Sequence, residues 1–285
     1  MSFGRHGYLA AALAASVAGA TALAAAPAPV IVVCAPGSPG TTEEARGAMD
    51  AFAAALAAKA GLPAGGLGAT YTPTEDGGIA RLRAGDAAAA IVSLPFFLKH
   101  EKALALRAEL QPVPQGGAGL ERWSLVVKKG RGATPAALDG FTILSAAGFS
   151  PGFVSGPALG AWGRLPASVR IVQSAAVLSA LRRAAAGEPV AVLLDGTQAA
   201  ALPSLPLASE LEVIARSPPL PVGIVATADR RMPPARWAKV RAALQALAAD
   251  PAGAEALAGI RMSRFEALDA KALSAARQAY AEAGR

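Results

Sequence analysis

Leu82-Arg83-Ala84-Gly85-Asp86, followed by the apolar run Ala87 to Val92 and then Ser93, is written almost a second time about a hundred residues on. The second version is Leu181-Arg182-Arg183, then Ala186-Gly187-Glu188, the apolar run Val190 to Leu194, and Asp195. In each, a helical stretch stops at glycine, an acid follows, and a short strand apolar on both faces ends on a polar residue. A strand-like segment precedes each copy, Ala69 to Thr72 and Val169 to Val172. Two β-α-β units of one design predict two α/β lobes, and ligands of such lobes gather beyond the carboxyl ends of the strands.

The length of 285 residues is enough for two cores. Arg5 and His6 precede an uncharged stretch from Tyr8 to Ala26, and Ala22-Leu23-Ala24 fits a small-x-small cleavage site. Residues 1–24 therefore read as a secretory signal peptide, with an uncleaved anchor as the other reading. Cys34 is the only cysteine, so no disulfide can form within the chain, and its place at the end of Val30-Ile31-Val32-Val33 predicts a buried thiol. The net charge of +7 is spread over element ends and predicts a solvated surface, with no nucleic-acid partner.

Two β-rich segments, Arg122 to Lys128 and Pro221 to Thr227, read as crossings between the lobes. Residues 25–122 with 223–285 are expected to form lobe one and residues 123–222 lobe two. A chain that leaves one lobe, builds the other and returns encloses a hinged cleft.

Catalysis needs a nucleophile–base pair, paired carboxylates or metal ligands, and none stands out. Beyond His6 in the leader, the one histidine is His100, inside Lys99-His100-Glu101-Lys102, where a surface role is expected. There is no His-x-x-x-His, cysteine pair or phosphate-binding glycine loop. A secreted enzyme is accordingly the weakest reading, and neither cofactor nor metal is expected.

The order of motifs resembles that of periplasmic substrate-binding proteins of the phosphate/phosphite/phosphonate ABC-transporter family. The resemblance is carried by Pro36-Gly37-Ser38-Pro39, by Ala84-Gly85-Asp86 leading to Ser93, and by Arg122-Trp123-Ser124-Leu125-Val126-Val127. Leu138-Asp139-Gly140, Ser217-Pro218-Pro219-Leu220-Pro221, Ala249-Asp250-Pro251-Ala252-Gly253 and Phe265 complete it. It implies a two-lobed type II periplasmic-binding fold, a periplasmic location, and a monomer that hands a small ligand to an inner-membrane transporter. It further implies an anion loop at Phe149-Ser150-Pro151-Gly152-Phe153, where Ser150 and Gly152 keep part of a cradle while Pro151 removes an N–H donor. Arg122 stands where the family often has tyrosine, and Asp195 where it places an acid near the ligand's amine.

The candidate ligand residues are thus Ser38, Ser93, Arg122, Trp123, Ser150, Gly152, Phe153 and Asp195. Each serine could equally be a cap or turn residue, Asp195 a helix cap, and Arg122 a hinge residue. Phe96, Phe97, Trp123 and Phe153 are most simply core, yet they lie near the proposed cleft loops. They motivate an alternative in which the same fold carries an apolar cargo such as a sterol or other lipid.

Overall fold

The computed structural model describes Met1 and residues 27–284, so the leader expected over 1–24 lies outside the described residues apart from Met1. From the N-terminal side the chain builds β1 (Val30–Cys34), α1 (Thr42–Lys59), β2 (Gly68–Thr72), α2 (Glu75–Arg83), β3 (Ala87–Ser93), α3 (Leu94–His100) and β4 (Leu106–Pro114). A two-residue strand, β5 (Leu120–Glu121), leads into β6 (Ser124–Lys128), β7 (Thr142–Ser145), the short α4 (Pro151–Phe153), β8 (Arg170–Gln173), α5 (Val177–Ala185), β9 (Val190–Leu194), α6 (Gly196–Ala201) and β10 (Leu211–Arg216). The return runs through β11 (Leu220–Pro221), β12 (Gly223–Ala228), α7 (Pro234–Ala246), α8 (Pro251–Gly259), β13 (Met262–Ala267) and α9 (Ala270–Ala283).

The two sheets repeat one plan. Lobe one has the order β13-β4-β12-β3-β1-β2 and lobe two β10-β6-β9-β7-β8. In lobe one β1 is parallel to β2 and β3, and in lobe two β7 is parallel to β8 and β9. The strand entering each lobe from a crossing, β12 or β6, pairs antiparallel with the second strand of the repeated motif, β3 or β9. The matched wording of Leu82–Ser93 and Leu181–Asp195 thus corresponds to matched positions in two sheets, with Ser93 and Asp195 at equivalent strand ends.

Local chemistry accounts for the elements. Thr41 and Glu44 make a capping box at the head of α1, whose Met49, Phe52 and Leu56 are buried against the sheet. Residues Ala87 to Val92 are buried on both faces, as a central strand covered by helices requires. Asp250 and Asp269 cap α8 and α9. Among the described residues no helix is long and apolar enough to cross a membrane.

The crossings are fastened to each other. β5 and β11 pair antiparallel, the Trp123 N–H donates to Ser217 Oγ at 2.9 Å, and the Ser217 N–H donates to the Trp123 carbonyl at 2.9 Å. A third link comes from α9. Although it follows the return to lobe one, it packs on the 151–158 helical segment of lobe two, and Gly156 is the point of closest approach. One apolar cluster therefore runs from Val32 and Phe96 in lobe one through Trp123 to Phe153 and Leu193 in lobe two, taking in Leu273 and Ala276 of α9.

Candidate functional site

A cleft of about 210 Å³ opens between the lobes where the strands of both motifs end. Cys34 to Ser38 follow β1, Ser93 closes β3, and Pro112 and Pro114 end β4. Lobe two supplies Ala146, Ala147 and Phe149 from the loop after β7, and Asp195 and Thr197 after β9. Glu121 and Trp123 of the first crossing form part of the wall.

The lobes meet around it. A Cβ on Gly37 would stand 3.1 Å from that of Ala146, and the +84° φ of Gly37 is left-handed, so glycine suits this turn twice over. Across the mouth, Lys99 Nζ donates to the Phe149 carbonyl at 2.6 Å and lies 5.6 Å from the Phe149 ring centre. Lys99 and His100 both contact Glu75 Oε1, at 2.7 and 2.6 Å, and hold that carboxyl below the usual range against the opposing effect of burial. The surface role expected for His100 gives way to a largely enclosed ring tilted against Phe96, with ring centres 4.8 Å apart.

Four of the candidates come together in the cleft: Ser38, Ser93, Trp123 and Asp195. Ser93 sits at the N-cap of α3 but makes no capping bond, and its buried hydroxyl has no partner. Trp123 is only 5% exposed and packs edge-on to Phe153, with ring centres 5.1 Å apart. Its indole N–H is buried and makes no hydrogen bond of ordinary length, although it lies near enough to the Glu121 carboxyl to favour that group's ionised form. A buried donor without an acceptor is costly, and such a group on a cleft wall marks a place for a ligand acceptor. Asp195 is also a helix cap: its Oδ1 accepts from the Gln198 N–H at 2.8 Å, while burial pushes its carboxyl pKa up.

Other expectations are corrected by position. Arg122 turns out of the cleft and donates to the Ser217 carbonyl at 2.8 Å, which fixes it as a hinge fastening. Gly152 faces the Tyr280 ring of α9, with 3.2 Å left for a Cβ. Phe153 is fully buried in the core shared by the lobes. Ser150 is 1% exposed and its hydroxyl has no partner, but the residue lies behind the cleft wall rather than on it. Phe96 and Phe97, named for an apolar cleft, are fully buried in the core and form no cleft wall.

Glu121 is not singled out by the sequence. Its Oε2 accepts from the Gly196 N–H at 2.8 Å, tying the crossing to the head of α6. Burial first, and the nearby Asp195 charge after it, push its pKa up to about 8, against the lowering effects of the Gly196 bond and of the Trp123 indole. At neutral pH this carboxyl is mostly protonated and is itself a donor. A single acid before a β-rich run carries no signal of this in sequence. Among the described residues lining the cleft there is neither lysine nor arginine. Its donors are Trp123, Ser38, Ser93, Thr197 and protonated Glu121.

Residues 165–273 match the family described as "ABC transporter, phosphonate, periplasmic substrate-binding protein". No curated protein matches. Among solved structures, XAC2383 from Xanthomonas citri bound to chloride ion is similar with a TM-score of 0.72 and 15% identity, over 91% of this chain and 99% of that one. A binding protein component of an ABC phosphonate transporter from Pseudomonas aeruginosa gives 0.63 and 17%, over 90% and 87%. PhnD1 from Prochlorococcus marinus, in complex with methylphosphonate, gives 0.62 and 11%, over 90% and 98%. The two-lobed α/β architecture is thus that of periplasmic binding proteins, and the chain resembles the phosphonate substrate-binding family, whose model it matches through the second half of lobe two and the return segment.

Proposed function

We propose that this protein is a periplasmic solute-binding protein that captures a small phosphonate- or phosphate-like oxyanion between its lobes and delivers it to a membrane transporter. The observation that carries this reading is the unpartnered, buried hydroxyl of Ser93 on the cleft wall, which the Trp123 indole, whose N–H makes no hydrogen bond of ordinary length, also lines. Neutral donors in a desolvated cleft hold an oxyanion by hydrogen bonds, each worth more there than in water. Ser38 from lobe one and Thr197 from lobe two also line the cleft, so each lobe offers a hydroxyl to the ligand. The family match and the shared fold support transport rather than catalysis.

Isothermal calorimetry with methylphosphonate, phosphate and phosphite tests the reading. At least one of the three is expected to bind with micromolar or tighter affinity. Trp123→Phe keeps the edge-on packing but removes the donor, and should weaken binding by about tenfold, the equivalent of ~1.4 kcal/mol for one hydrogen bond to a charged group. Absence of heat with all three anions would sink the assignment.

A further inference from the structure

The cleft adjoins a second space. A groove of about 380 Å³ lies on lobe one between the first turns of α1 and the Gly259–Met262 turn that joins α8 to β13. The two share Val33, Ala35, Ser38 and Met262, so they adjoin at Ser38 and Met262. The groove is walled chiefly by apolar side chains: Met49, Ile260, Met262, Ala45, Ala48 and Pro39. Two of these are methionines, whose flexible thioethers adapt to ligands of varied shape. Charge is confined to Glu44 and Arg261, both exposed, and the Glu44 carboxylate is engaged by the Thr41 N–H at 2.8 Å. The backbone at Arg261 is left-handed, with φ 60°, an uncommon state for a residue with a side chain, and this turn sets the groove's far wall.

The volumes matter. Ligand sites commonly occupy ~300–1,000 Å³, so the cleft of about 210 Å³ is small by itself while the groove adds room for a substituent. Resting on the oxyanion reading above, we infer that the site is bipartite. The cleft takes the oxyanion head and the groove takes an apolar substituent, making the preferred ligand an organophosphonate with a bulky alkyl or aryl group rather than a bare oxyanion.

Calorimetry with methyl-, butyl- and phenylphosphonate on the same preparation tests this. Burial of apolar carbon is worth roughly fourfold in affinity per methylene, so the butyl and phenyl compounds should bind at least about tenfold more tightly than methylphosphonate. Ala45→Trp, at a half-buried position on α1, fills the groove and should erase that preference while leaving methylphosphonate affinity unchanged. Ala48→Glu, which places a charge in the groove at a residue that does not line the cleft, should do the same by a different route. Equal affinities for the three compounds, or a preference that survives both variants, would overturn the bipartite site and leave the oxyanion reading standing. Failure of every phosphonate to bind would overturn both.

Discussion

Gly156→Val is expected to release the C-terminal helix from lobe two and to lower the thermal midpoint by roughly 6–12 °C, the equivalent of about 3 kcal/mol in a protein of this size. Gly156 lies where α9 presses on the 151–158 segment, and any Cβ there would overlap the Ala279 carbonyl and approach the Ala283 Cβ to 2.9 Å. The obstacle is backbone, so no rotamer change relieves it. The helix must move as a unit, and with it Leu273 and Ala276 leave the core they share with Trp123 and Phe153. Hydrogen exchange distinguishes this from general loosening: amides of 270–283 should lose protection while those of β1, β3 and β12 keep theirs. Unchanged protection in α9 would count against the helix as a clasp.

Glu121→Gln is expected to stabilise the protein at pH 9 and to flatten its dependence on pH. The folded-state pKa of Glu121 is raised to about 8, chiefly by burial, above that of an ordinary carboxyl. The folded state therefore holds a proton that the unfolded chain gives up. Stability falls as pH rises from the ordinary carboxyl range to about 8, and the penalty is complete above that value. Its size is on the order of 2–5 kcal/mol, since each tenfold difference in proton affinity between the folded and unfolded chain is worth about 1.4 kcal/mol. Thermal midpoints at pH 6, 7, 8 and 9 should decline in the wild type and decline less in E121Q. Parallel curves would show that the carboxyl is not desolvated. The same proton serves binding: above pH 8 an ionised Glu121 repels an oxyanion, so affinity should drop about tenfold from pH 7 to 9, and E121Q should blunt the loss.

The twofold wording of the sequence carries the main architecture because central strands need no context. A run such as Val190 to Leu194 is apolar on every side, and so it must be covered on both faces. β4 and β13 are not legible for the opposite reason. Pro112 and Pro114 interrupt the first, Arg264 and Glu266 the second, and the two are fixed as strands by pairing with each other and, for β4, with β12. The site is half legible. Ser38, Ser93, Trp123 and Asp195 are found at or beside strand ends, where ligands of such lobes gather, and they line one cleft. Glu121 is invisible because its role depends on a Gly196 N–H far along the chain and on burial that no local pattern encodes. Gly152 and Phe153 sit in a recognisable loop, but the partner of that loop is α9, and an amphipathic helix does not announce which surface it will cover.

The apolar cluster that runs unbroken through both lobes bears on rates. Parting the lobes exposes part of it to water at ~25 cal/mol per Å² of apolar surface, and the α9 clasp resists the same movement. For the proposed solute-binding role, the shut arrangement is therefore the expected resting state of the empty protein, with ligand entry during excursions from it. Association is then expected to fall well below the diffusional ceiling, with escape waiting on the same excursions. Long residence follows from the scaffold as much as from contacts to the ligand, and a transporter that pries the lobes apart would set the tempo of release.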